Sequence, residues 1–315
     1  MLKLILHRVL LSLLTLLIVS ILVFVGTELL PGDLAQAVLG QYATPEGVQA
    51  LRSQLGLDRP APVRYFEWLG GMMRLDFGIS LANQAPVSGL IAERLGRTLL
   101  LAGLSAALAV PLALGIGLLA ASRPGSTFDR VSSIAALCVA ALPEFFLGTL
   151  LVIIFAVKLR WLPAISYVME FRSVGQLVSS LVMPVVTLAA VIVSQMARMT
   201  RATVVNVLSM PFIEMAVLKG VPWRRVVLVH ALRNAVGPIA NVVALNLAYL
   251  ISGVIIVETI FAYPGLARLI VDAVTTRDFP LIQACAFIFC GGYIALMLLA
   301  DIAAIMGNPR LRHAQ

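Results

Sequence analysis

Charge is sparse in this sequence: Asp, Glu, Lys and Arg together make up 12% of it, against 61% hydrophobic residues and a mean hydropathy of +1.01. That balance excludes an ordinary water-soluble domain and points to a polytopic membrane protein. Cysteine and histidine are scarcer still, three of each. Cys138, Cys285 and Cys290 all lie inside apolar runs, where cysteine behaves as a small hydrophobe, so no disulfide framework is expected. His7, His230 and His313 have no second ligand at helical spacing, which argues against a zinc or haem centre. Without a Gly-x-x-x-x-Gly-Lys-Ser/Thr loop the chain does not bind ATP through that motif. Without His-Glu-x-x-His or Gly-x-Ser-x-Gly, an intramembrane hydrolase would lack its chemistry.

Apolar runs are what is abundant. Lys3, His7 and Arg8 precede a run from Val9 to Thr27, about 28 Å of helix at ~1.5 Å per residue and enough for a hydrocarbon core of roughly 30 Å. It is too long for the apolar core of a signal peptide and no small-residue cleavage site follows, so a retained anchor is expected. Further runs at 98–121, 131–157, 177–197, 236–257 and 281–300 predict an all-α fold of six spans with both termini on one side. Pro111, Pro143, Pro184 and Pro238 mark kinks or span ends, since a membrane helix tolerates proline where neighbours or a cavity satisfy the freed carbonyl.

The net charge of +8 is spent on flanks rather than on a nucleic-acid surface. With the long segment 31–97 left out of the count, an inside N-terminus puts twelve Lys and Arg on the inner side, among them Arg198, Arg201, Lys219, Arg224, Arg225 and Arg233. The outer short loops hold five, namely Lys158, Arg160, Arg172, Arg268 and Arg277. Both termini and the loop around Glu214 are therefore expected in the cytoplasm. Residues 31–97 are expected to fold as a small external cap. Thr44 reads as an N-cap with Pro45 at the first helical position, Val48, Leu51 and Leu55 share one face, and Gly56 terminates the helix. Two uses stand open for that cap: stability alone, or docking of a substrate-delivery protein.

The segment from Glu214 to Pro238, EMAVLKGVPWRRVVLVHALRNAVGP, is basic and punctuated by glycine. Glu214 to Lys219 predicts a short helix, Gly220 a sharp turn or close approach, and Pro222 the start of a second helix. Trp223, Arg224 and Arg225 are residue types that dominate interface hot spots, although a basic loop also rests well on anionic headgroups. With Ala216 and the run from His230 to Ala235, this spacing resembles the cytoplasmic coupling loop of ATP-binding-cassette (ABC) importer permeases.

Further matches narrow the resemblance to the dipeptide, oligopeptide and nickel permease subfamily. They are Leu30-Pro31-Gly32-Asp33, Gln54-Leu55-Gly56-Leu57-Asp58, Leu75-Asp76-Phe77-Gly78-Ile79-Ser80, Leu142-Pro143-Glu144-Phe145-Phe146-Leu147-Gly148, Val257-Glu258-Thr259 running on to Tyr263-Pro264-Gly265-Leu266, and Arg277-Asp278-Phe279-Pro280. Each is weak alone; their order over nearly the whole chain is specific. The long outer segment resembles that of the first of the two permease subunits. Departures are the Met215-Ala216-Val217-Leu218-Lys219-Gly220 sequence, where the family has a small or polar and a basic residue, and Asn308-Pro309-Arg310 in place of Asp-Pro-Arg.

The resemblance implies a division into residues 1–30 as N-terminus and first span, 31–97 as a periplasmic loop, and 98–315 as a five-span core with a coupling loop at 198–235. It implies a coupling set of Glu214, Ala216, Lys219, Gly220, Trp223, Arg224 and Arg225. The implied partners are a homologous second permease subunit, two P-loop ATPase subunits that carry ATP and Mg, a periplasmic or lipid-anchored substrate-binding protein, and membrane lipid. No cofactor is expected in this chain and no nucleic acid. The setting is the bacterial inner membrane, and the cargo short peptides, nickel complexes, opines or other small polar solutes.

Glu144 lies within a span, where a carboxylate is costly unless it faces a cavity or a partner. It is a candidate for the translocation pathway or for an interhelical hydrogen bond. Asn241, Asn246 and Gln195 are open to the same two readings, and Asp301, at the inner end of the last span, reads as structural. The leading alternative function is an ion-gradient-driven secondary transporter, which should show inverted repeats and paired intramembrane charges; no convincing repeat is visible.

Overall fold

A computed structural model describes residues 2–29, 43–54, 56–166 and 173–307. Leu30-Pro31-Gly32-Asp33, Leu55 and Asn308-Pro309-Arg310 lie outside them, as do the side chain of Leu51 and the whole of Arg172. Eleven helices are named here: α1 Leu2–Glu28, α2 Pro45–Gln54, α3 Ala61–Met73, α4 Val87–Ser122, α5 Thr127–Ala140, α6 Glu144–Leu151, α7 Val174–Leu208, α8 Pro211–Leu218, α9 Leu232–Ile260, α10 Leu266–Thr276 and α11 Phe279–Gly307. Among the described residues five continuous helices are long and apolar enough to cross a membrane, and a bent pair brings the number to six if it crosses once.

That bent pair departs from the single third span expected at 131–157. α5 and the α6 segment meet at 98°. Pro143 is in extended conformation and caps α6, and a residue that precedes proline is pushed out of the α region, so Leu142-Pro143 breaks the helix rather than kinking it. Pro111, Pro184 and Pro238 sit inside unbroken helices. Two π-helical turns add further irregularity, Val152–Lys158 after α6 and Val226–Ala231 before α9. Such turns insert a residue and leave carbonyls out of the usual ladder, which apolar periodicity does not reveal.

The helices are longer than the bilayer requires. α7 has 35 residues, and Trp223–Ile260 forms one 38-residue helical run; at ~1.5 Å per residue each exceeds 50 Å against roughly 30 Å of hydrocarbon. The excess carries the chain beyond the core and leaves only 209–222 as an excursion between these two helices. The stretch expected as a coupling loop, 198–235, is thus mostly the ends of long helices.

The described chain divides into two units. One comprises 1–10, 99–263 and 295–315. α7 is its most buried span, with Leu181, Met183, Leu188, Ile192 and Met196 inside. α4 approaches it closely at Gly117, where a Cβ would stand 2.7 Å from the Ala197 carbonyl oxygen and 2.8 Å from Thr200 Cβ. Both are backbone-fixed, so Gly117→Ala is expected to force the helices apart at a cost of about 1–3 kcal/mol, read as a lower unfolding temperature of the detergent-solubilised protein; an unchanged value would show that α4 moves freely. Asp129, 3% exposed, ties α5 to α7 through Arg201 Nε and Nη2, the latter at 2.7 Å, and also accepts from Gly125 N at 2.8 Å. Arg8 and Asp301 pair at 3.0 Å, which agrees with the structural role expected for Asp301.

The other unit comprises 11–98 and 264–294. α2 starts as expected, with Thr44 Oγ1 accepting from Gly47 N at 3.1 Å and Gly56 closing the segment at φ +67°. α3 is an element the sequence reading missed. It packs an aromatic group, Tyr65 and Trp68, against Phe24 of α1 and Phe287 of α11. Arg64 reaches Glu28 at 2.5 and 2.8 Å, and Tyr65 and Ser20 share a hydrogen bond of 2.7 Å. The core beneath holds Met72, Val87, Ile91, Leu266, Leu269 and Leu281.

Between α10 and α11 the chain turns at Arg277 with φ +56°, and Asp278 follows, 1% exposed. The Asp278 carboxylate accepts from the Ser80 hydroxyl, from Leu81 N at 3.2 Å, from Ala82 N at 3.4 Å and from Leu281 N at 3.4 Å, the last capping α11. Two of the sequence motifs, Leu75 to Ser80 and Arg277 to Pro280, are therefore one structural lock.

Candidate functional site

Two places in the 99–263 segment gather the residues singled out in the sequence. The first is the excursion between α7 and α9. α8 runs from Pro211, a residue suited to the first helical turn, with Glu214 in that turn where a carboxylate favours the helix dipole. Ile213, 2% exposed, anchors it in a core made by Val204, Val207, Val226, Ala231, Ala235 and Ile239. Ala216 packs against the same core, half-buried. Lys219 closes the helix and Gly220 turns the chain at φ +75°.

The second helix begins at the expected place and opens a much longer run. Pro222 caps Trp223–Arg225, which runs without interruption through the π turn into α9. Of the two uses expected of Gly220 the structure has the turn and not the close approach: a Cβ there meets nothing within 4 Å, so its conformation, not crowding within this chain, is what calls for glycine. Trp223 donates its indole N–H to the Ser122 carbonyl at 2.8 Å, which ties the base of the excursion to the end of α4. Arg224 and Arg225 are exposed, as are Glu214 and Lys219.

The departure from the family's pattern gains a physical meaning here. Met210, Phe212, Met215, Val217, Leu218 and Trp223 are all at least 40% exposed, so the excursion shows an apolar face studded with basic groups. A face of that make-up on a helix anchored from below suits burial against another protein.

The second place is a cavity of about 170 Å³ walled by α6, α7 and α9. Glu144, at the start of α6 just past the break, faces it together with Gln195, Asn246, Tyr249 and Ser252. Asn246, 2% exposed, donates to the Val242 carbonyl at 2.8 Å. Asn241 does not line this cavity. On α9 it stands five residues before Asn246, more than a full turn away and rotated off that face. The pathway trio is thus brought together in part, Glu144 with Asn246, and Gln195 completes the polar wall.

Sequence reasoning missed Gly253, which stands opposite Glu144. A Cβ there would lie 3.0 Å from Glu144 Oε2 and 3.0 Å from Leu188 Cδ2. The signal was a glycine inside a helical apolar run, which costs about 1 kcal/mol against alanine and asks for a packing reason.

Residues 113–313 match the family described as the inner membrane component of binding-protein-dependent transport systems, and residues 1–102 match the N-terminal part of such membrane components. A probable peptide ABC transporter permease of Sinorhizobium fredii is 35% identical over 98% of this chain and 99% of its own length. The glutathione transport system permease protein GsiC of Salmonella typhi is 39% identical over 99% of this chain and all of its own. A putative peptide transport system permease protein of Brucella abortus is 38% identical over 98% and 99%. With helices fit for five or six crossings and full-length identity of this order, the chain is a multi-pass membrane protein that belongs to the family of binding-protein-dependent transport system inner membrane components, an ABC importer permease.

Proposed function

We propose that this permease imports short peptides or peptide-like solutes across the bacterial inner membrane, with both termini and the α8 excursion in the cytoplasm. It pairs with a homologous second permease, and the path lies between them. Two P-loop ATPase subunits bind ATP and Mg, hydrolyse ATP and dock on the coupling set Glu214, Ala216, Lys219, Gly220, Trp223, Arg224 and Arg225. A periplasmic or lipid-anchored binding protein delivers cargo from outside, towards residues 31–97.

The observation that carries this reading is the anchored, outward-facing apolar and basic surface of α8. A protruding helix held by Ile213 and by the Trp223 to Ser122 hydrogen bond transmits a push as a lever does, and a loose loop would not. The excursion feeds without a break into α9, one wall of the Glu144 cavity, so movement at the ATPase side has a helical route to that cavity. Peptide cargo is supported by full-length relatives described as peptide and glutathione permeases.

The test is reconstitution of the four-subunit complex with its binding protein in proteoliposomes. Peptide uptake is expected to require ATP, while this chain purified alone hydrolyses none. Uptake that follows an ion gradient and ignores ATP would instead support a secondary transporter.

A further inference from the structure

We propose that the cavity between α6, α7 and α9 is a subsite for a protonated amino group, the free N-terminus of a transported peptide, with the Glu144 carboxylate as its counter-charge; this deepens the importer reading and rests on it. Glu144 Oε2 is buried and has no hydrogen-bond partner among the described residues. A buried carboxylate oxygen in that condition is costly until a donor or cation reaches it. Gly253 lets the Glu144 carboxylate lie close against α9 at the cavity wall, where any Cβ would press on Oε2 and on Leu188.

The chemistry of the wall selects the ligand. Gln195, Asn246 and Ser252 carry neutral oxygens beside the single negative charge, a set that suits the three donors of an ammonium. Leu188, Ile192 and Ile256 make the remaining surface apolar, which strengthens an ion pair formed there. A divalent metal is a poorer match, because among the described residues no group of three His, Cys, Asp or Glu converges anywhere. Anionic ends are repelled by Glu144. At about 170 Å³ the cavity holds one end of a peptide and not a whole one, since ligand sites that enclose a small molecule run from ~300 Å³ upward.

The probes are trialanine and N-acetyl-trialanine, each supplied to the reconstituted complex at a concentration that saturates the binding protein, so that discrimination upstream is removed. Wild type is expected to transport the free peptide about tenfold faster than the acetylated one, and Glu144→Gln to reduce that ratio to about twofold or less while uptake of the acetylated peptide persists. Gly253→Ala, which leaves the charge in place and fills the approach, should slow the free peptide selectively.

A second readout needs no transport. Labelling of Glu144 by a hydrophobic carbodiimide, followed by peptide mass spectrometry, is expected to be slowed by trialanine and not by its acetylated form. An unchanged free-to-acetylated ratio in Glu144→Gln, or equal protection by both peptides or by neither, overturns the subsite. Absence of ATP-driven uptake of either peptide by wild type overturns the importer reading instead, and in that case the labelling result still decides the subsite.

Discussion

Gly220→Asp is expected to abolish ATP-coupled uptake while the permease remains inserted and folded. The turn at φ +75° strains any side chain, aspartate less than most, at a cost of about 1–2 kcal/mol, but beyond its chain neighbours the new Cβ meets nothing within 4 Å. The fold therefore loses a little stability without being displaced. Whatever docks there is disturbed, because a carboxylate now stands at the tip of an apolar face between Lys219 and the Arg224-Arg225 pair. A charge buried without a partner at an interface costs about 2–5 kcal/mol, enough to lower coupled uptake by well over tenfold and to release the ATPases during purification. Glu214→Ala should be much milder, since it removes a helix-dipole contribution of about 0.3–1 kcal/mol from an exposed position. Co-purification of the ATPases together with vesicle uptake measures both variants. Normal docking and normal coupled uptake in Gly220→Asp would mean that α8 is not the transmission element.

The largest effect on stability is expected from Asp278→Ala. Its carboxylate is the shared acceptor for one hydroxyl and three backbone N–H groups, and it is 1% exposed. Removing it strands several buried donors at once, and each stranded group costs about 1–3 kcal/mol. A loss of about 3–5 kcal/mol is expected, visible as poor yield, a lower unfolding temperature and faster proteolysis near residue 80. Asp278→Asn keeps an acceptor and should lose less. Ser80→Ala should cost less in the Asp278→Ala background than alone, because the two share one network and only the bond from Asn83 N to Ser80 Oγ, 3.1 Å, is left to lose. Additive losses would mean that Ser80 and Asp278 act separately.

What the sequence made legible follows from what apolar runs can encode. Five of the six expected spans lie inside continuous helices, since a run of about twenty apolar residues has few alternatives in a membrane protein. The Thr44 cap and the Gly220 turn were legible because both depend on local backbone chemistry. The break at Leu142-Pro143 was legible only as an irregularity: proline shows that a helix is disturbed, but the 98° angle is decided by what α6 packs against. α3 was missed because Tyr65, Phe66 and Trp68 fall between glycines and prolines that read as loop. The Asp278 lock joins residues 198 positions apart, a separation no local pattern reports. In the cavity, Glu144 announced itself as an acid in an apolar run, whereas Gly253 acquires meaning only from the carboxylate across from it.

That separation of 198 residues also sets a clock on biosynthesis. At about 5–20 residues per second a ribosome needs on the order of 10–40 s to travel from Ser80 to Asp278. Through that interval the Leu75 to Ser80 turn exists without the acceptor that fixes it. The unit formed by 11–98 and 264–294 cannot close until nearly the whole polypeptide has left the ribosome. A nascent chain stalled anywhere before residue 278 therefore holds its Leu75 to Ser80 turn without the carboxylate that latches it.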